Sequence, residues 1–317
     1  MKVLLAAHKF HSYELAHARA LTKLGHEVLL VGVFGYQSVR DRIARRAHWG
    51  NERYARFERS RVFDAVNRFR PDRILTLAAE LVDETWISRL GPITGLWLLD
   101  DLSTFPITAE ARAELPFLAS YNRGDAAALT NHNRPCQFIR QGFDGEISRP
   151  SAGAPSADAL IVGAPYPSRV AIASEVIRSG RRCQVVGRHW PPDFYASASN
   201  SSVVRRDITP VTAREMATGA SNLNILRDPL AGLNGWAFEL PGSGALQLSN
   251  APEIAECFDP GVEVLDFEST DGLLQLLDRI ASDADWAAAV AAAGLRRARS
   301  EHTLEQRHRS LLDAWDW

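Results

Sequence analysis

Along the chain, short unbroken apolar runs alternate with stretches whose apolar residues recur at helical spacing. KVLLAA (2–7) reads as a strand, SYELAHARALTKLG (12–25) as a helix closed by Gly25, and HEVLLVGVFG (26–35) as the next strand. The Arg-rich region 38–70 reads as helical, with a charged outer face and an inner face including Phe57, Val62, Phe63 and Val66. RILTLAA (73–79), a helix around VDETWISRLG (82–91), the strand TGLWLLD (94–100) and a short strand and loop at QFIRQGFD (137–144) complete the first half. SRPSAGAPSAD (148–158), rich in Pro, Ser, Gly and Ala, reads as a linker. The pattern then restarts with the strand ALIVGAP (159–165) and the helix SRVAIASEVIRSG (168–180), closed by Gly180. Strands follow at RCQVVGRHW (182–190), SVVRRDI (202–208), LNILRD (223–228) and VEVLDF (262–267). A helix is expected at TAREMATGA (212–220), and the last part reads as helical to Trp317.

Repeated strand–helix alternation predicts parallel strands covered by helices on both faces. The expected fold class is α/β, with two doubly wound Rossmann-like domains facing a central cleft. The first would span 1–150 and the second 151–302, with a terminal helix over about 303–317 packing back on the first. Ligands of such sheets bind beyond the carboxyl ends of the strands. Two in tandem suit group transfer between two bound molecules, although a fold alone does not establish a function.

Composition narrows the classes. A chain of 317 residues accommodates two domains of about 150 residues each. Lys plus Arg is 36 and Asp plus Glu is 38, which lacks the basic excess of a nucleic-acid binder. The three cysteines, Cys136, Cys183 and Cys257, are scattered without C-x-x-C spacing, so neither a disulfide framework nor a zinc site is expected. The N-terminal apolar run is only about seven residues and is followed by His and Lys, the pattern of a buried strand and not of a signal peptide. No window approaches the roughly 18 apolar residues of a membrane span. The expectation is a soluble cytoplasmic protein, monomer or homodimer, without nucleic-acid partner or stable membrane insertion.

The stretch NGWAFELPGSGALQLSN (234–250) places one carboxylate, Glu239, before a Pro, two Gly and an apolar run. It is not a dinucleotide fingerprint, because Gln247 stands where the third Gly is needed and the strand follows the glycines. It is not a nucleophile elbow either, since the glycines flank Ser243 at single spacing.

Residues 237–280 resemble the C-terminal domain of the CgeB-like, spore-maturation type glycosyltransferases, a group of GT-B fold related to glycosyltransferase family 4. The resemblance rests on Phe238-Glu239, Gly244-Ala245, Cys257-Phe258, Pro260-Gly261, Glu263-Val264 and Phe267. It extends upstream through ALIVGAPYPSRVAIASEVI (159–177) and VVGRHW (185–190). In the first half, RPDRILTL (70–77), WLLDD (97–101) and QGFDGEISRP (141–150) also match. Two positions depart: Trp236-Ala237 replaces a basic residue, and Ala231 stands where family 4 has the first acid of its E-x7-E pair.

The resemblance implies a nucleoside-diphosphate sugar as donor substrate, with neither cofactor nor metal. The Ala- and Arg-rich composition without a membrane-facing amphipathic helix points to a small soluble acceptor in a bacterial biosynthetic pathway, such as natural-product assembly. Asp100-Asp101 lacks the Asp-x-Asp spacing by which GT-A transferases hold manganese. Glu239 would bond the ribose hydroxyls; its bland alternative is a helix-start acid favoured by the dipole. Gly163, at a strand end before a helix, would leave backbone N–H groups for the diphosphate, and Arg169 would add a fixed charge. Arg188, Asn234 and Gly235 would complete the donor site. In the first domain, strand ends carry His8 with His11, Glu80, and Asp100 with Asp101. His8, Glu80 or Asp101 would serve as general base or orienting group, and His11 and Asp100 would hold the acceptor. The alternative for the Asp pair is helix capping at Asp101. A sugar-nucleotide epimerase or hydrolase, or a non-catalytic sugar-nucleotide-binding protein, would use the same fold.

Overall fold

The computed structural model describes residues 1–9, 12–35, 51–102, 114–131, 134–146, 157–187, 189–191, 194, 202–204, 219–227 and 232–317. The linker expected at 148–158 and the helix expected at 212–220 lie almost entirely outside these residues. So do His11, Arg188 and Ala231. The chain divides into two compact units, one of Met1–Arg140 with Leu304–Trp317, the other of Gln141–Thr303.

In chain order the first unit contains β1 (Lys2–His8), α1 (Tyr13–Lys23), β2 (Glu27–Val33), α2 (Asn51–Phe69), β3 (Arg73–Thr76), α3 (Glu84–Leu90) and β4 (Thr94–Leu98). It continues with β5 (Phe117–Ser120), α4 (Arg123–Leu129) and β6 (Cys136–Phe138). The second unit contains β7 (Ala159–Val162), α5 (Pro167–Arg178), β8 (Cys183–Val186), β9 (Ser202–Val204), β10 (Ser221–Asn224) and α6 (Trp236–Gly242). Then come β11 (Gln247–Ser249), β12 (Leu265–Asp266), α7 (Thr270–Ser282) and α8 (Ala284–Glu301). The last helix, α9 (Leu304–Ala314), returns to the first unit.

Both sheets are parallel throughout. The first has the order β2-β1-β3-β4-β5-β6 and the second β9-β8-β7-β10-β11-β12. Parallel strands covered on both faces need apolar side chains on both, which is why β1 and β7 are unbroken apolar runs. Along β1 the pleat sends Leu4 and Ala6 to the layer holding Ile74, Trp86 and Leu96. It sends Val3, Leu5 and Ala7 to the opposite layer, with Leu21 of α1, Trp97, and Leu311 and Trp315 from the C-terminal segment. Gly95 in β4 has no side chain, and the Trp315 ring occupies that space.

Helix ends follow local chemistry. Gly25 and Gly180 take positive φ just beyond α1 and α5, as their positions in the sequence demand. Asp83, Asn122, Ser269 and Asp283 each accept a backbone N–H from the first turn of the helix they precede.

Two expectations are corrected. β5 and α4 were not anticipated, because four residues of FLAS and an Ala-rich turn carry too little periodicity to stand out. The strand expected at 223–228 lies earlier, at Ser221–Asn224, and is fully buried despite three polar side chains. Their donors are paired: Ser221 Oγ donates to the Asp158 carbonyl at 2.7 Å and Asn222 Nδ2 to that of Leu246 at 3.4 Å, while Asn222 Oδ1 is buried without a partner among the described residues. Asn224 pairs with Asn234. Ile225 and Leu226 therefore lie beyond the carboxyl end of β10.

Candidate functional site

A doubly wound sheet opens a crevice where neighbouring strands send their connections to opposite sides. In the first sheet that point lies between the carboxyl ends of β1 and β3, and in the second between those of β7 and β10.

At the first crevice His8 ends β1, and its Nε2 lies 3.0 Å from Glu80 Oε2. Glu80 sits on a single 3₁₀ turn, Ala79–Leu81, directly after β3. Arg59 of α2 secures that turn from behind. Its buried guanidinium donates to the Glu80 carbonyl at 3.4 Å and bridges Glu52 and Asp83 at 2.8 and 2.9 Å. Phe34 stacks on the His8 ring at 5.1 Å and receives Tyr54 edge-on.

Asp100 and Asp101 follow β4 at the same edge. Asp101 Oδ1 accepts the Tyr121 hydroxyl at 2.8 Å and the Asn122 amide at 3.3 Å. The Leu102 N–H donates to Asp125 Oδ2 at 2.9 Å, and the segment that Asp101 would cap lies outside the described residues. Burial raises the Asp100 carboxyl above the usual carboxylate range; Asp101 and Glu80 add to this and His8 opposes it. Burial and the Asp101 carboxylate likewise push the Tyr121 hydroxyl up. The structure thus gathers His8, Glu80, Asp100 and Asp101 at one strand edge. Arg59, Phe34 and Tyr121, which support them, were missed because only the fold brings them near.

At the second crevice Gly163 follows β7 with φ +126°, a conformation reserved for glycine. Its N–H donates to the Val186 carbonyl, and its own carbonyl accepts the Trp190 indole N–H at 3.0 Å. Any side chain at Gly187 would run into that carbonyl.

Arg169, in the first turn of α5, differs from the exposed diphosphate contact expected of it. Its side chain turns beneath Gly163, where Nη1 and Nη2 donate to the carbonyls of Ala164 and Ile225, each at 2.7 Å. It is only 6% exposed. The guanidinium therefore ties the loop after β7 to the segment after β10, and burial lowers its proton affinity. Tyr166, at the start of α5, lies over this guanidinium at 5.1 Å, and the exposed Arg227 lies 5.5 Å from the same ring.

The segment 232–242 completes this edge. Asn234 Oδ1 accepts the Ala237 N–H at 3.2 Å, while its amide pairs reciprocally with Asn224 at the end of β10. Asn234 thus acts through its side chain, as the cap of α6. Gly235 lies beside the Gln141 amide and near the Glu239 carboxylate. Glu239 is 5% exposed, in the first turn of α6. Behind it, Phe238 packs against Phe258 and His302, and Gly242 lies on the Phe143 ring. Gly244, with φ +79°, ends the turn and admits β11 to the sheet.

Among the described residues no three His, Cys, Asp or Glu are grouped to hold a metal ion, and no helix is long and apolar enough to cross a membrane.

No curated protein sequence matches the chain. Among solved structures, Alr3699/HepE of Anabaena in complex with UDP-glucose is similar, with TM-score 0.69 and 12% identity, covering 100% of this chain and 99% of that one. Sucrose-phosphate synthase from Thermosynechococcus elongatus gives 0.66 and 11%, covering 99% and 98%. UDP-GlcNAc 2-epimerase from Neisseria meningitidis bound to UDP-GlcNAc gives 0.61 and 12%, covering 99% and 100%. Residues 169–313 match the family model described as glycosyl transferase-like. The chain accordingly has the GT-B fold, and its residues 169–313 carry the glycosyl transferase-like family match.

Proposed function

We propose that the chain is a glycosyltransferase that moves a sugar from a nucleoside-diphosphate sugar to a small soluble acceptor. The observation that carries this is the pairing of unlike crevices on two doubly wound sheets, one lined by His8 and carboxylates, the other by Gly163, Tyr166 and Arg227. The family match over 169–313 and the sugar nucleotides bound by structural neighbours support the reading.

In this reading the donor lies on the second sheet. Glu239 accepts the ribose hydroxyls, the backbone around Gly163 meets the diphosphate, and Asn234 and Gly235 shape the wall beside it. Arg169 keeps the two lips of the crevice at fixed spacing. The acceptor lies on the first sheet, near Asp100. The bond from the anomeric carbon to the diphosphate oxygen breaks, the acceptor forms a new bond to that carbon, and the acceptor proton passes to His8, oriented by Glu80. We place the chain in the CgeB-like group on the Phe238-Glu239 and Gly244-Ala245 pattern, and expect turnover in the cytoplasm without a metal.

The test is a panel of sugar nucleotides incubated with and without acceptors, with and without a chelator, with diphosphate release measured. Acceptor-dependent release supports the transferase. Release without acceptor moves the assignment to an epimerase or hydrolase, the reading favoured by the Neisseria meningitidis neighbour. Failure of every donor to bind refutes the proposal.

A further inference from the structure

Arg169 has the sequence position expected of the diphosphate contact, yet both of its terminal nitrogens are held by carbonyls at 2.7 Å. Its charge is buried below the crevice floor. Arg227 stands three residues beyond β10, on the opposite lip, and is exposed. Among the described residues its guanidinium has no carboxylate partner, and its aromatic neighbour is Tyr166 at 5.5 Å. The Tyr166 ring thus lies against both cations, the buried Arg169 and the exposed Arg227.

This stacking limits where the Arg227 side chain goes. Leu226, the preceding residue, is fixed by its N–H to Asn250 Oδ1 at 2.9 Å, and Ile225 by its carbonyl to Arg169. The backbone leading into Arg227 is therefore anchored to α5 through Arg169 and to the residue after β11 through Asn250. A guanidinium held by an aromatic face keeps its N–H groups at the ring's edge available to a phosphate, and ordering it beforehand lowers the entropy lost on binding.

Resting on the donor reading above, we propose that Arg227, positioned by Tyr166, is the residue by which the site distinguishes a diphosphate from a monophosphate or a nucleoside. Arg169 sets the geometry of the lips and Arg227 supplies the charge that the ligand meets.

The test uses the full-length chain and calorimetry. UDP, GDP, ADP and TDP are titrated first, and the tightest is compared with its own monophosphate and nucleoside. Arg227→Gln is expected to weaken the diphosphate at least about tenfold, with the nucleoside unchanged within about twofold. It should also flatten the salt dependence of diphosphate binding. Arg227→Lys should recover part of the loss, and Tyr166→Ala should give a smaller loss with the same ligand order. Wild-type diphosphate affinity in Arg227→Gln overturns the assignment, as does an equal loss for diphosphate and nucleoside. If the wild-type chain binds none of the four, the donor reading itself falls, an outcome visible before any variant is made.

Discussion

The two crevices occupy the same place in two sheets of the same construction, yet their chemistry is opposite. The first gathers Glu80, Asp100 and Asp101 around His8, with burial raising the Asp100 carboxyl. The second presents a positive-φ glycine, a buried Arg brace and an exposed Arg on an aromatic ring. Strand order decides where a crevice opens, and side chains just past the strand ends decide what enters it. Carboxylates at the first crevice disfavour a diphosphate and the exposed cation at the second favours one, and the proposed division of substrates rests on that contrast.

The sharpest way to break the comparison is to destroy the second crevice alone. A side chain at Gly163 must adopt φ +126°, and its Cβ would lie 2.5 Å from Arg169 Nη1. Backbone strain and overpacking each cost about 1–3 kcal/mol, so Gly163→Val should destabilise the second unit by about 4 kcal/mol. Diphosphate affinity should vanish with it. Urea unfolding and calorimetry check this, and a Gly163→Val protein with wild-type stability and affinity would show that the brace is not a constraint.

The next effect separates the units by pH. In the first unit His17 of α1 and His308 of α9 meet at 2.9 Å between ring nitrogens, both fully buried, with Trp97 edge-on to each. Burial lowers the His17 pKa to about 4; burial, then His17 and His26, holds His308 well below its ordinary value. Lys23 and Glu305 pair at 2.8 Å across the same helices. Because the unfolded chain takes up protons near pH 6.5 and the folded pair does not, this stability is complete above about 6.5. It falls as pH drops towards 4, by about 3 kcal/mol for His17. Hydrogen exchange in urea at pH 7 and 4.5, corrected for intrinsic rates, should show α1 and α9 losing protection before β7 and β8. Equal losses in both units would remove the contrast.

This pair also shows where sequence reading stops. The strand–helix alternation was legible because β1 and β7 are apolar runs and Gly25 and Gly180 punctuate the helices after them. His17 and His308 are 291 residues apart, and nothing local marks either. β10 was misplaced because its buried asparagines depend on carbonyls and amides from other strands and loops. Glu80, Asp100 and His8 could be named from strand ends, whereas Arg59 lies mid-helix and looks like one more surface charge. Arg169 was legible as a residue and misread as a role, because only the fold shows its guanidinium beneath Gly163.

A third comparison exchanges one carboxylate in each crevice. Glu80→Gln keeps a hydrogen-bonding side chain at His8 but removes the charge that stabilises a protonated ring, so kcat should fall about 100-fold with donor KM unchanged. Glu239→Gln removes a charged acceptor from the proposed ribose position, so donor KM should rise about tenfold with a smaller change in kcat. Steady-state kinetics with donor and acceptor varied separately reads both. If the two substitutions alter the same parameter, donor and acceptor are not divided between the sheets as proposed.

The smallest effect concerns Tyr121, whose hydroxyl donates to Asp101 at 2.8 Å. Tyr121→Phe removes this bond and leaves Asp101 with the Asn122 amide at 3.3 Å. The ring keeps its packing, so the stability loss should be about 1 kcal/mol. Asp101 would then be less constrained beside Asp100, and the acceptor KM should change a few-fold while diphosphate affinity stays at the wild-type value. Calorimetry with the diphosphate and kinetics with varied acceptor measure the two together. A change in diphosphate affinity would connect Asp101 to the donor, and the opposite charge of the two crevices would no longer explain which substrate each receives.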